Sequence, residues 1–131
     1  MQALQDLWLA NVPAMTQLLF ASVHDTLLEL LGDPHYLGAT PGILATLHTW
    51  SQTLRLHPHI HSLVTAGGLT RTGQWMAVRH GFLLPSRVAM ALFRGKLLAS
   101  VRQGLVHGTL QRPAGRSRQP VENLLNKLGR Q

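Results

Sequence analysis

The stretch that most constrains the fold is LHPHIHSLVTAGGL, residues 56–69, in which His59, His61, Leu63 and Thr65 occupy alternate positions. Alternation with a period of two is typical of a β-strand and places these four side chains on one face. The pattern predicts a strand over 59–66, with Pro58 breaking the chain before it and Gly67 and Gly68 ending it. On such a strand the Cα atoms of His59 and His61 lie roughly 7 Å apart, so that both imidazoles can converge on one ion.

Two further strands are predicted, over 42–56 and over 75–79, the latter after the turn signal TRTGQ. Residues 1–31 predict helix, with a separate short helix before Pro13 and an apolar face repeating every fourth residue from Met15 to Leu31. Residues 85–107 predict a second long helix, and 111–120 a basic linker. The segment 121–129 predicts a short helix with nothing to pack against.

This order of elements predicts an α+β fold, in which an antiparallel sheet of about three strands packs with two long helices. We expect three parts: a helical segment over 1–38, a core over 39–109 that holds the histidines, and a basic tail over 110–131. A thin sheet of this kind leaves an exposed edge, which favours self-association.

Composition narrows the class of protein. The 131 residues include 12 Lys and Arg against 5 Asp and Glu, a net charge of +7, which favours an anionic partner such as nucleic acid. Cysteine is absent, which excludes disulfides and cysteine-based zinc sites. No apolar run approaches the roughly 20 residues that span a bilayer, and no secretory signal is evident, so we expect a cytoplasmic protein that does not enter the membrane.

The histidines have two interpretations from the residues alone. Neutral imidazole suits Mn, Zn, Fe, Cu or Ni, and a third ligand from the adjacent strand would be Gln52 or His48; Gln52 is an oxygen donor compatible with Mg²⁺ or Mn²⁺. The alternative is a set of exposed edge-strand histidines that make ordinary hydrogen bonds. The direction of His57, which precedes Pro58, is not predicted. Trp50 and Trp75 likewise are either base-stacking residues or core residues.

The combination of LHTWSQTLRLHPHIHSLVTAGGLTRTGQW with FLLPSRVAMALFRGKLL is more specific than its parts. It resembles the transposases of rolling-circle insertion sequences, the two-tyrosine class of the HUH endonuclease superfamily, in which HUH stands for His, hydrophobic, His. Here that motif is His59, Ile60 and His61. The resemblance extends from about Leu27 to the end of the chain, and the segments 47–69 and 82–98 carry most of it.

The resemblance implies a partial HUH-endonuclease fold and an activity on single-stranded DNA. In that family a divalent ion, here Mg²⁺ or Mn²⁺, polarises the scissile phosphate, and a tyrosine attacks it and becomes linked to the 5′-phosphate. Carried over, His59 and His61 are metal ligands, with Gln52 as the expected third ligand and His57 and His48 as additional candidates. Arg55, Arg87 and Arg94 are the expected DNA-binding residues, and a bacterial, nucleoid-associated location follows.

The chain departs from the family pattern in its nucleophile. The family uses a pair of tyrosines on one helix downstream of the HUH strand, whereas the sole tyrosine here, Tyr36, lies upstream between Pro34 and Gly38. We therefore expect a fragment, truncated at both ends, that keeps the metal site and DNA affinity and lacks the nucleophile. Two alternatives stay open: a nuclease that uses metal-activated water, and a non-enzymatic basic DNA-binding module in which the histidines are incidental.

Overall fold

The structure is a computed structural model that describes residues 2–114 and 118–130. Its three strands form one antiparallel sheet in the order β1-β2-β3, so the α+β class and the three-stranded antiparallel sheet are confirmed. The elements in chain order are α1 (Gln2–Ala10), α2 (Val12–Gly32), β1 (Thr40–Trp50), β2 (Leu56–Leu69), β3 (Trp75–Ala77), α3 (Ser86–His107) and α4 (Arg118–Gly129).

A buried asparagine fixes the corner between α1 and α2. The side-chain amide of Asn11 donates to the carbonyl of Leu7 at 2.9 Å and to that of Gln111 at 2.7 Å, and its oxygen accepts from the Gln111 N–H at 2.6 Å. Pro13 follows in the first turn of α2, where its missing N–H costs no helical hydrogen bond. The separate short helix before Pro13 is thus present, and Asn11 ties the corner to the chain that follows α3.

The buried face of α2 differs from the predicted one. The expected repeat of four residues drifts by about 40° per step around a helix of 3.6 residues per turn. The buried stripe instead includes a step of three, from Leu19 to Ser22, so that it passes through Ser22 and Thr26 in place of Val23 and Leu27. The Thr26 hydroxyl donates to the Ser22 carbonyl at 2.6 Å, which satisfies this polar side chain within the helix.

The helices cover one face of the sheet. Leu47, Leu56 and Ile60 pack on the larger core, and Val64 packs on a smaller core formed by Leu31, Leu37 and Ala39. The opposite face of β1 and β2 is open, as Leu44 (63% exposed) and its cross-strand partner Leu63 (72% exposed) show. The larger core consists of Leu7, Trp8, Met15, Leu19, Leu98, Val101, Leu110, Val121 and Leu125.

Strand β2 is longer than predicted at both ends. It runs through Pro58 without a break because a register shift lies there: Trp50 pairs with Leu56 and His48 with His59, so one extra residue of β2 bulges opposite Thr49. A bulge tolerates proline because its N–H need not join the ladder. Gly67 and Gly68 do not end the strand. A Cβ on Gly67 would lie 2.6 Å from the ring of Trp75, so glycine is required where three strands approach closely.

The C-terminal helix has a packing partner, contrary to the prediction. Val121 and Leu125, four residues apart on α4, are 3% and 2% exposed and belong to the same core as Leu7 of α1 and Val101 of α3. The guanidinium of Arg102 donates to the Leu125 carbonyl at 3.0 Å and further holds the helix. Within the predicted basic linker, Arg116 lies outside the described residues.

No helix in the described part of the chain combines the length and the apolar character needed to cross a membrane.

Candidate metal centre

Three histidines from two strands meet on the open face of the sheet. The period of two in β2 puts His59 and His61 side by side, and the register of the hairpin places His48 of β1 directly opposite His59. Thr46 lies opposite His61, so His48 is also diagonal to His61. The centre is therefore set by strand pairing between β1 and β2 and not by one strand alone.

The three imidazoles lie close enough to share one ion. Their ring centroids are separated by 4.3 Å (His48–His61), 4.8 Å (His59–His61) and 5.5 Å (His48–His59). One ring nitrogen from each histidine lies within 4.8 Å of the other two. Nitrogen ligands around one ion, each about 2.1 Å from it, lie within about 4.2 Å of one another. Small side-chain rotations therefore bring all three into coordination distance.

A hydrogen bond defines which nitrogen of His59 is available to a metal. Nδ1 of His59 lies 2.6 Å from the backbone carbonyl oxygen of His57. A carbonyl oxygen can only accept, so Nδ1 carries the proton and the lone pair of the neutral ring is on Nε2. Metal-binding histidines commonly donate their other ring nitrogen in this way, which fixes the tautomer and the ring orientation.

The donor set fits a metal ion without any carboxylate. His48 and His61 are exposed and His59 is half-buried, so an ion and a substrate both have access to the centre. The five carboxylates of the chain lie on the helices or in the turn after α2 (Asp6, Asp25, Glu29, Asp33 and Glu122), and the group described here contains none of them. The donors are thus three neutral nitrogens, which suits a transition-metal ion.

Comparison with known proteins places the chain in a family. Residues 42–131, which include the hairpin from Gly42 onward and its three histidines, match a protein family described as "Putative transposase". The chain belongs to this transposase family. It is 44% identical over 95 residues to "Putative transposase y4qJ" of Sinorhizobium fredii, and 50% identical over 38 residues to "Transposase for insertion sequence element IS801" of Pseudomonas savastanoi pv. phaseolicola.

These similarities cover part of each transposase. The first alignment spans 72% of this chain and 24% of the relative, and the second spans 29% of this chain and 9% of the relative. The chain thus spans about a quarter or less of the length of these curated transposases. No solved structure matches it significantly.

The other two predicted ligands of this transposase chain, Gln52 and His57, lie in the β1–β2 turn and on β2. Gln52 lies in the β1–β2 turn, beyond the end of β1 at Trp50, and it stays a prediction as a ligand. His57 is on β2 with its ring centroid 5.0 Å from that of His59, but the group of three does not include it. His57 also borders an apolar cavity of about 320 Å³, which Met90 and Phe93 line as well.

The predicted DNA-binding arginines lie in different parts of this chain. Arg55 is exposed in the β1–β2 turn, four residues before His59, and Arg87 is exposed in the first turn of α3. Arg94 is half-buried and lines the apolar cavity. Their contact with DNA stays a prediction. Tyr36 lies in the turn after α2, half-buried, with its ring edge-on to His35.

The sequence pattern favoured Gln52 over His48 as the third ligand, whereas the structure places His48 in the centre. The available signal was its even-numbered position on β1, which it shares with Thr46 and Trp50. That signal was not sufficient because Gln52 is also even-numbered. Only the register of the hairpin, with His48 opposite His59 and the turn beginning at Ser51, separates the two.

Proposed function

We propose that this chain is the metal-binding part of a transposase that cleaves and rejoins single-stranded DNA, as in rolling-circle transposition. The observation that carries the proposal is the convergence of His48, His59 and His61 on an open sheet face, in a chain that belongs to a transposase family. A divalent ion bound there would act as a Lewis acid on the scissile phosphate. The cleavage and rejoining take place on DNA in the bacterial cytoplasm.

The open face of the hairpin offers a path for a single strand beside the histidines. The apolar pair Leu44–Leu63 flanks the centre on one side, and the exposed Trp50 and Arg55 follow on the other. An exposed tryptophan stacks on unpaired bases of any sequence, and an arginine at the turn neutralises a phosphate. In this arrangement the histidines hold the ion in place, while Trp50 and Arg55 position the DNA strand next to it.

The nucleophile is not part of the centre in this chain. Tyr36 precedes β1, and the eight steps along the strand from Thr40 to His48 extend for roughly 26 Å. The phenol therefore lies at the far end of the sheet from the three imidazoles. We accordingly propose that this chain binds the ion and single-stranded DNA by itself, and that strand cleavage depends on a tyrosine supplied by residues other than those of this chain.

The test is an incubation of the purified chain with end-labelled single-stranded DNA and Mn²⁺. We expect His-dependent Mn²⁺ binding and salt-dependent DNA binding, without cleavage and without a covalent protein–DNA adduct. The control is the double variant His59→Ala/His61→Ala. An adduct that this variant loses would show that the centre is complete and would implicate Tyr36, which Tyr36→Phe then checks. Cleavage without an adduct would indicate hydrolysis by water.

The sheet edge supports a second element of the proposal, self-association. In the described part of the chain, β1 pairs with β2 on one side and with no strand on the other, along all of Thr40–Trp50. Such an edge presents unpaired N–H and C=O groups to another strand. Sedimentation at increasing concentration should show a dimer that Thr46→Pro, a change on this edge strand, reduces. A monomer at all concentrations would contradict this element.

A further inference from the structure

The two sides of α4 differ in composition. Val121 and Leu125 are buried in the larger core with residues of α1 and α3. With 3.6 residues per helical turn, the side chains opposite this buried pair are Asn123, Asn126, Lys127 and Arg130, all exposed. None of the four is acidic or apolar. The outer face of α4 therefore consists of two cations and two amides, all of which can donate hydrogen bonds.

Arginines from α3 and from the segment after it continue this outer face. Arg102 is exposed, and its Nη2 donates to the Leu125 carbonyl at 3.0 Å and to the Asn126 side-chain oxygen at 3.4 Å. Arg102, Arg112 and Asn126 line one surface depression, and Asn126 also lines a second with Lys127 and Arg130. The shared asparagine makes the two continuous. We call this region the α4 basic surface: Arg102, Arg112, Asn123, Asn126, Lys127 and Arg130.

The α4 basic surface carries little negative charge. Among the described residues that line the two depressions, Glu122 is the one carboxylate, and its Oε1 lies 3.7 Å from Nη2 of Arg112. Four cations and one carboxylate leave a net charge of +3. The other carboxylates lie on α1, on α2 or in the turn after α2. A concentrated positive charge of this kind attracts a polyanion.

The composition of the α4 basic surface distinguishes between the polyanions that could bind it. Arginine, lysine and asparagine side chains are typical contacts to the DNA phosphate backbone. The residues lining the two depressions include no aromatic ring, whereas binding of unpaired bases depends on aromatic stacking. A membrane-surface helix inserts its apolar face into the lipid, but the apolar face of α4 is buried in the core. Double-stranded DNA is therefore favoured over single-stranded DNA and over lipid.

The α4 basic surface and the three histidines belong to different sides of the sheet. The core that contains Val121 and Leu125 of α4 also receives Leu47 and Ile60 from the covered face, and the histidines lie on the open face. We propose that the α4 basic surface binds the phosphate backbone of double-stranded DNA, independently of base sequence and of any bound metal. The choice of DNA as the ligand rests on the proposed function, whereas the site and its double-stranded ligand go beyond it.

The test measures binding of a fluorescent DNA duplex by anisotropy at several salt concentrations, in EDTA so that no metal is bound. Lys127→Gln/Arg130→Gln removes two exposed cations from the α4 basic surface. We expect duplex affinity to fall by at least about 10-fold at about 0.1 M salt, and the salt dependence to fall by the equivalent of about two phosphates. Asn123→Asp, which adds a negative charge to the same face, should lower duplex affinity as well.

The matched control is Arg71→Gln/Arg79→Gln, which removes two exposed cations in the turn before β3 and in the segment after it. We expect a loss of less than about 3-fold, because salt screens charges that lie away from the bound DNA. Equal losses in the two double variants would overturn the proposal, since they would indicate a general attraction by net charge. Urea denaturation checks that each variant is folded.

Three further results would also overturn the proposal. The first is unchanged duplex affinity in folded Lys127→Gln/Arg130→Gln and Asn123→Asp. The second is a loss confined to an oligothymidylate of the same length, which would assign the surface to single-stranded DNA. The third is a loss of binding to phosphatidylserine vesicles with unchanged duplex affinity, which would assign it to lipid. Histidine-dependent Mn²⁺ binding is measured separately, so a failure of the proposed metal centre is distinguishable from a failure of this site.

Discussion

The two faces of the β1–β2 hairpin differ in what they do. On the covered face, Leu47 and Ile60 are cross-strand partners that pack on the helices. The neighbouring residues His48 and His59 form the next cross-strand pair, and they lie on the open face. Successive side chains of a β-strand point to opposite faces, so packing residues and histidines occupy neighbouring positions. The covered face stabilises the fold, and the open face exposes the histidines to solvent.

The largest expected effect comes from removing two ligands on the open face. His59→Ala/His61→Ala should lower metal affinity by at least about 100-fold, since one donor remains. The free energy of unfolding should change by no more than about 0.5 kcal/mol, as for other surface substitutions. Titration with Co²⁺ and urea denaturation measure the two quantities. Strong destabilisation of the metal-free variant would show that the two faces are not independent.

A matched pair of substitutions tests the covered face against the open one. Leu47→Thr removes apolar packing from the core and should cost about 2 kcal/mol of unfolding free energy. Leu44→Thr changes a side chain that is 63% exposed, and we expect a change within about 0.5 kcal/mol. Urea denaturation of both variants checks this. Equal losses in the two would mean that the open face is covered in solution.

Trp50 and Arg55, at the β1–β2 turn, test whether single-stranded DNA binds to the open face. Trp50→Ala should weaken single-stranded DNA binding by roughly 1 kcal/mol or more, the value of one base stacked on an aromatic ring. Arg55→Ala should reduce the salt dependence by the equivalent of about one phosphate. Fluorescence anisotropy at several salt concentrations measures both. Unchanged affinity and slope would exclude this end of the hairpin from the DNA path.

The smallest effect is expected in the turn that joins the strands. Leu54 adopts a left-handed backbone conformation with φ of 56°, and its side chain is 81% exposed. Asparagine tolerates this region better than a leucine, so Leu54→Asn should stabilise the chain by up to about 1 kcal/mol. A thermal melt measures the shift. A destabilised variant would mean that the Leu54 side chain makes a stabilising contact despite its exposure.

Much of this architecture was accessible from the sequence because it depends on local periodicity. The alternation in 59–66 correctly predicts that His59 and His61 share a face, Pro13 marks the start of α2, and the predicted helix ends at residues 31 and 107 lie within one residue of the ends in the structure. These features depend on side-chain period and on backbone preference, both of which act within a few residues.

The remaining features depend on contacts between distant residues. The third member of the centre depends on the hairpin register, which a bulge at Pro58 shifts by one residue. The burial of Val121 and Leu125 depends on a gap between α1 and α3 that no local pattern reveals. The glycines at 67 and 68 look like a strand end, but they mark the crowding of three strands. None of these was predictable without the tertiary structure.

We propose that His48, His59 and His61 hold one ion. The most direct test is anomalous diffraction from a crystal of the chain soaked in Co²⁺. We expect one peak about 2.1 Å from a nitrogen of each of the three imidazoles, and Nε2 as the contacting atom of His59. A peak coordinated by His59, His61 and Gln52, or the absence of a peak at the histidines of a folded chain, would contradict the account.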